Sequence, residues 1–214
     1  MSFDLPRIIN VMAVSLDGRI AGSAHERDEI REESGFTTPD DRAYLEKLLA
    51  GADAVIVGSS SLKASGGALE VSRPDGSFPT WAVLTQSGLP TECPFYNQAR
   101  IPRWVVSPHP LDNVPRDIKT LVYGKNSPAV FLAMELKKAG AERVLLFGGS
   151  EINRLFYEAN LVDELILTIC PIVIARSSSI PLVAPELPSP KHFSLASSHT
   201  HGDLVFLSYN VRKS

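Results

Sequence analysis

The chain has 214 residues, 44% of them hydrophobic and 21% charged, with a formal net charge of −3. Single α/β domains reach ~200 residues and more, so one domain over residues 1–214 with its own core is the expectation. Two widely spaced cysteines, Cys93 and Cys170, exclude a disulfide framework and a cysteine zinc site, and fit a reducing compartment. No apolar run approaches the ~18 residues of a membrane span, and MSFDLPRIIN is no signal segment. The weakly acidic balance lacks a basic block for nucleic acid. A cytoplasmic protein with a small-molecule partner, no membrane and no nucleic acid is expected.

Residues 8–14 (IINVMAV) form a continuous apolar run, the pattern of a strand buried on both faces. Thr38-Pro39-Asp40-Asp41 opens a helix: Thr38 is a capping residue, Pro39 suits the first turn, and the carboxylates suit the positive end of the dipole. Leu45, Leu48 and Leu49 give it an apolar face, and Gly51 ends it. Residues 54–57 (AVIV) read as a second buried strand, with further strands at 80–84, 103–106 and 119–122. Ser127-Pro128 caps another helix, which Lys137-Lys138-Ala139-Gly140 closes. Residues 144–147 (VLLF) are a strand, Gly148-Gly149-Ser150 a turn, and 151–159 a helix with Ile152, Leu155 and Phe156 inward. Residues 165–175 (LILTICPIVIA) and 204–211 (LVFLSYNV) then read as long strands pairing antiparallel at one edge, with Pro171 marking a bulge or the edge. The fold class is α/β, a mixed and mostly parallel sheet with flanking helices and an antiparallel C-terminal strand pair.

Two strand-to-helix junctions carry candidate chemistry. In VLLFGGSEINRLF, Gly148 and Gly149 let a ligand approach the backbone, and Ser150 caps a helix whose first N–H groups suit a pyrophosphate. A plain glycine turn before a capped helix reads equally well. In AVIVGSSSLK, Gly58 precedes Ser59, Ser60 and Ser61, with Lys63 as a nearby cation; a serine-rich cap is the alternative. Ligands of open α/β sheets bind beyond the carboxyl ends of strands, which favours both junctions together. No G-x-G-x-x-G and no Walker A motif occurs. The five histidines, His25, His109, His192, His199 and His201, show no zinc spacing, and His199 and His201 suit a surface turn. No metal is expected. Asp17, in Ser15-Leu16-Asp17-Gly18, either faces a cleft or forms an ordinary turn.

The segments MAVSLDGRIA, ADAVIVGSSSL, LLFGGSEINRLF, LVDELILTICP and GDLVFLSYNV, in that order, resemble the reductase domain of bifunctional riboflavin-biosynthesis deaminase/reductases, within the dihydrofolate-reductase-like superfamily. The likeness runs from Arg7 to Val211. The H-x-E and P-C-x-x-C zinc signature of the partner deaminase has no counterpart, so a stand-alone reductase is expected. The resemblance implies NADPH as hydride donor, 5-amino-6-(5-phosphoribosylamino)uracil as substrate, and a homodimer. It implies that the stretch from Gly149 to Leu155, with Ser150, Glu151 and Ile152, holds the diphosphate beside Gly148 as a further cofactor contact, and that Gly58, Ser59 and Ser61 take phosphate and ribose contacts. Thr85, Gln86 and Ser87 fall at the adenosine 2′-phosphate, and Ala13 and Val14 at the nicotinamide. Asp17 is the candidate catalytic carboxylate, for positioning or proton relay; Thr38, Leu69, Arg73 and Phe147 are the candidate substrate contacts, Arg73 as the phosphate's cation.

Two positions depart from the family pattern: Leu49 stands where an arginine is usual, and Phe147 where a carboxylate is usual. Both favour a flatter, less polar ligand. A reductase of a pterin or dihydrofolate-like heterocycle, and a non-catalytic nucleotide-binding relative, are the other readings.

Overall fold

The apolar runs become the middle of one sheet. The computed structural model describes residues 4–23, 26–36 and 38–213, so His25 lies outside the described residues. The chain runs β1 (Arg7–Ser15), β2 (Arg19–Ala21), α1 (Asp28–Glu33), α2 (Pro39–Ala50), β3 (Ala54–Gly58), α3 (Ser59–Ala64) and β4 (Thr80–Leu84). A 3-10 turn (Pro94–Asn97), β5 (Arg103–Ser107), β6 (Lys119–Val122), α4 (Pro128–Lys138), β7 (Arg143–Gly148) and α5 (Ser150–Glu158) follow. Last come β8 (Val162–Cys170), β9 (Ile180–Pro181), β10 (His192–His201) and β11 (Leu204–Arg212). Nine strands form one sheet in the order β10-β11-β8-β1-β7-β3-β4-β5-β6. Only β11 runs against its neighbours, pairing antiparallel with both β8 and β10. β2 and β9 make a separate antiparallel ribbon.

Strand alternation explains why the runs are apolar throughout. Ile8, Ile56, Val144 and Leu146 face a core completed by Leu132 and Leu136 of α4 and Phe156 of α5. Ile9, Val55, Val57 and Leu145 face the other core, completed by Leu49 of α2, Leu62 of α3 and Phe95. A central strand buried on both faces has no polar side to display. Leu49 is 0% exposed, and truncation of such a leucine to alanine costs about 2–5 kcal/mol.

Several local expectations need correction. β8 stops at Cys170, short of the expected 175, because Pro171 has no N–H for the ladder. Beyond it the chain turns, with Ala175 at φ +47°. Neither β8 nor β11 is an edge; the edge is β10, whose polar HFSLASSHTH hid it from periodicity. His199 and His201 therefore lie on a strand, not in a turn, and His199 stacks on Phe206 at 4.9 Å. Thr38 does cap α2, accepting a hydrogen bond from the Asp41 N–H at 3.2 Å. Ser127 stands at the α4 cap but its side chain makes no capping bond. Ser150 is the first residue of α5 rather than its cap, a place taken by Gly149. Among the described residues, no helix is long and apolar enough to cross a membrane. No group of three or more His, Cys, Asp or Glu there is placed to hold a metal.

Candidate functional site

β3 and β7 are sheet neighbours, so the two glycine junctions at their carboxyl ends meet. A Cβ on Gly58 would lie 2.9 Å from Ile152 Cγ1 and 3.3 Å from the Gly148 carbonyl oxygen. One on Gly149 would lie 2.9 Å from Ser61 Oγ, which already accepts the Gly149 N–H at 3.2 Å. Gly148 has φ +70°, a conformation that disfavours side chains, and a Cβ there would lie 2.5 Å from Asn153 Oδ1. These glycines are required by close approach of backbone and side chains within the protein itself.

The junctions open onto a cavity of about 720 Å³, within the ~300–1,000 Å³ range of small-molecule sites. Gly58, Ser59, Ser61, Gly149, Ser150, Glu151 and Ile152 line one part, so the positive end of α5 faces the space. Thr85 and Gln86 line it beside Tyr123 and Pro128. The Gln86 amide donates to the Tyr123 hydroxyl at 3.3 Å, and Thr85 Oγ1 locks its own turn, donating to the Gly88 carbonyl at 2.9 Å. The residues present fit a dinucleotide: the hydroxyls of Ser59, Ser61 and Thr85, glycine approaches and a helix N-terminus.

A second part of the lining is apolar, with Leu45, Val57, Leu69, Trp81 and Phe147. Phe147 meets Trp81 edge to face at 5.7 Å. The buried Trp81 indole N–H has no hydrogen-bond partner among the described residues.

Asp41 lines the cavity too, although the sequence reading gave it only a helix-dipole role. It is 9% exposed. Burial pushes its pKa up from the ordinary 3.8, against a hydrogen bond with Thr168 and the charge of Arg31. Thr168 stands opposite Ala13 in the β1–β8 register, which brings Asp41 to the Ala13 end of the cavity. The signal available in the sequence was a second acid in the first turn of α2. What raised its importance is β8, which arrives from more than a hundred residues away. Cys170, also near Asp41, has its thiol pushed up to about 12, mainly by burial.

Six expected site positions lie elsewhere. Val14 is in the core and Ser87 is exposed; neither lines the cavity, nor does Gly148. Thr38 is spent on its cap. Arg73 sits at the opposite, amino end of the sheet, donating to Asp53 at 2.9 Å. Asp53 in turn accepts the Arg143 N–H at 2.8 Å where β7 begins, which fixes that location. Asp17 lies outside the cavity lining and accepts bonds from Ser15 Oγ at 2.6 Å and the N–H groups of Ile174 and Ala175, each at 3.0 Å. Those bonds lower its pKa to about 2, so it is an ionised clamp at neutral pH. Lys63 is exposed and outside the lining, and Leu49 is a core residue, so its departure from the family pattern does not alter the cavity.

Three comparisons bear on this geometry. A 2,5-diamino-6-ribosylamino-4(3H)-pyrimidinone 5′-phosphate reductase from Methanothermobacter thermautotrophicus is 27% identical over 220 residues, covering 97% of this chain and 99% of the relative. The crystal structure of a pyrimidine reductase-like protein from Corynebacterium diphtheriae superposes with a TM-score of 0.81 at 17% identity, covering 98% of this chain and 93% of the other. A diaminohydroxyphosphoribosylaminopyrimidine deaminase/5-amino-6-(5-phosphoribosylamino)uracil reductase from Thermotoga maritima gives 0.77 at 16% identity over 97% of this chain. The chain spans 57% of that longer protein. The same α/β fold is shared with a dihydrofolate reductase from Enterococcus faecalis, which superposes with a TM-score of 0.56 at 13% identity, covering 97% of each chain. Residues 6–206 match the family described as the RibD C-terminal domain, and the chain belongs to that family.

Proposed function

We propose that the chain is an NADPH-dependent reductase that converts the ribosyl group of a 5′-phosphorylated ribosylaminopyrimidine to a ribityl chain, with 5-amino-6-(5-phosphoribosylamino)uracil as the first substrate to try. One observation carries the reading: the cavity joins a glycine-lined helix N-terminus to a buried carboxylate, Asp41, beside Ala13. The Methanothermobacter relative, matched nearly end to end, is named for a compound of this class.

When bound, the dinucleotide supplies the hydride. Gly58, Ser59, Ser61 and residues Gly149 to Ile152 receive its diphosphate and ribose, Thr85 and Gln86 its adenosine end, and Ala13 borders the nicotinamide. Hydride adds to the anomeric carbon as that carbon's bond to the ring oxygen is lost, and the oxygen takes a proton to become a hydroxyl. Asp41 replaces Asp17 as the group holding that proton, because its raised pKa keeps it protonated further up the pH scale. Arg31 and Arg42, both lining the cavity, replace Arg73 as the cations for the substrate phosphate. The walls hold the reacting carbons close and exclude water.

The Phe147–Trp81 pair favours a second reading, reduction of a flatter heterocycle such as a pterin or dihydrofolate. A homodimer formed over the unpaired side of β10, where Leu195 is 56% exposed, completes the reading; light scattering at micromolar concentration tests it. The decisive assay couples a deaminase that generates the uracil substrate in situ to loss of NADPH absorbance, with the diaminopyrimidinone and dihydrofolate in parallel. Oxidation with the ribosylaminopyrimidines alone supports the first reading. Oxidation with dihydrofolate alone moves the assignment to the second, and tight NADPH binding without turnover on any of them points to a non-catalytic nucleotide-binding relative.

A further inference from the structure

The β2–β9 ribbon is a wall of the cavity: Ile20, Ala21, Ile180 and Pro181 all line it. The two segments are short, and their register shifts between Arg19 and Ala21, so their own pairing is a weak source of order. The Ser178 hydroxyl adds one tie between the two segments, donating to the Gly22 carbonyl at 3.1 Å, and the ribbon is held further at its two ends.

At the far end it docks on α5. Ser150 Oγ donates to the Pro181 carbonyl at 2.7 Å, and the Asn153 amide donates to the Leu182 carbonyl at 2.8 Å. At the base, the turn leaving β1 meets the turn leaving β8 around a single carboxylate. Asp17 Oδ1 accepts from Ser15 Oγ at 2.6 Å and from the Ile174 N–H at 3.0 Å. Its Oδ2 accepts from the Ala175 N–H at 3.0 Å and lies 3.9 Å from Arg19 Nε. Ser15 Oγ accepts the Arg19 N–H at 2.9 Å, and the Leu16 N–H reaches the Ile172 carbonyl at 2.8 Å. Ala175 is held at φ +47°, a conformation that costs a non-glycine residue and persists only where its surroundings fix it. Its N–H is one of the donors that Asp17 ties down.

We propose that Asp17 is a positioning residue: its carboxylate joins the 15–19 turn to the 172–175 turn and thereby fixes the β2–β9 wall against the glycine-lined junction at α5. It touches neither the cavity nor the reacting atoms. The effects on turnover and on NADPH affinity rest on the reductase reading above, whereas the effect on the wall, read by cleavage, does not.

The test compares Asp17→Ala and Asp17→Asn with Asp75→Ala. Asp75 is a matched control, a turn carboxylate that accepts the Ser77 N–H at 3.0 Å at the amino end of the sheet. Three readouts are taken on the full chain: trypsin cleavage after Arg19 and Arg176, the NADPH dissociation constant, and the melting temperature. Asp17→Ala is expected to speed both cleavages and to weaken NADPH binding about tenfold, while the melting temperature shifts by a few degrees. Asp17→Asn retains one acceptor oxygen and should fall between it and the parent; Asp75→Ala should match the parent in cleavage and binding. Unchanged cleavage and affinity in Asp17→Ala would overturn the proposal. So would a collapse in melting temperature for Asp17→Ala and Asp17→Asn alike, which would make the clamp a determinant of the whole fold. If turnover is measurable and Asp17→Asn loses kcat with affinity and cleavage unchanged, Asp17 acts chemically and the positioning role is wrong. If neither a reductase substrate nor NADPH binding is found, cleavage alone still decides the matter.

Discussion

The two ends of the sheet use similar residue types for opposite purposes. At the amino ends of β3 and β5, charged groups are tied to one another and to the backbone, while at β7 the buried Arg143 Nε has no partner among the described residues. Asp53 accepts from Arg73 and from the N–H groups of Glu142 and Arg143. Arg103, 5% exposed, pairs with Asp117 and donates to the Tyr96 carbonyl at 2.5 Å. At the carboxyl ends of β3 and β7, the backbone is stripped to glycine, and the Asp41 carboxylate is buried at a cavity wall. Polar groups that complete one another hold structure together. Polar groups left facing a cavity are placed for a ligand, because an unpaired buried group is costly.

The largest expected effect comes from the buried acid. Asp41→Asn should lower kcat/KM on the ribosylaminopyrimidine by about 10²-fold or more, the scale of general-acid contributions, with little change in NADPH affinity. Since burial raises the folded pKa of Asp41, the protonated form is present below that raised value and is lost as pH rises through it. The parent's kcat/KM should fall along that limb, and the Asn variant should lack it.

Glycine substitutions sharpen the contrast between the ends. Gly148→Ala combines φ +70° with a Cβ 2.5 Å from Asn153 Oδ1. It should cost at least the ~1–2 kcal/mol of left-handed strain and also weaken nucleotide binding, because the Asn153 amide holds Leu182. Gly76→Ala, at the amino end, has φ +81° but nothing within 4 Å. It should show only the strain, about 1 kcal/mol, with affinity unchanged. Denaturant melts and NADPH titrations of the pair check both.

Acid should open the ribbon before neutral conditions do. Asp17's folded pKa is lowered from 3.8 to about 2, so its contribution is complete above 3.8 and is lost as pH falls toward 2. Pepsin cleavage near residues 172–181 should therefore rise between pH 4 and pH 2 in the parent, and should already be high at pH 4 in Asp17→Ala. The smallest effect is expected at Arg73. Arg73→Ala removes a partly exposed ion pair of about 0–1 kcal/mol and should leave KM for a phosphorylated substrate unchanged. A tenfold rise in that KM would return Arg73 to the site.

The sequence by itself determined the parallel centre of the sheet, the caps of α2, and the two glycine junctions. These are local matters: period, turn chemistry and the absence of a side chain are written within a few residues of one another. It also carried the family likeness, through five short segments in order. Only the tertiary structure decided which polar groups face the cavity. Asp17 and Asp41 are both acids beside turns, and nothing local distinguishes them. Asp17 meets the 172–175 turn and is consumed by backbone donors, while Asp41 meets Thr168 on β8 and is buried at the wall. Leu49 was legible as a core residue of α2, whereas the location of Arg73 was not: a role set by strand order cannot be read from neighbours along the chain. Strand order puts β8 beside β1 and the Asp53 corner at the far end of the sheet.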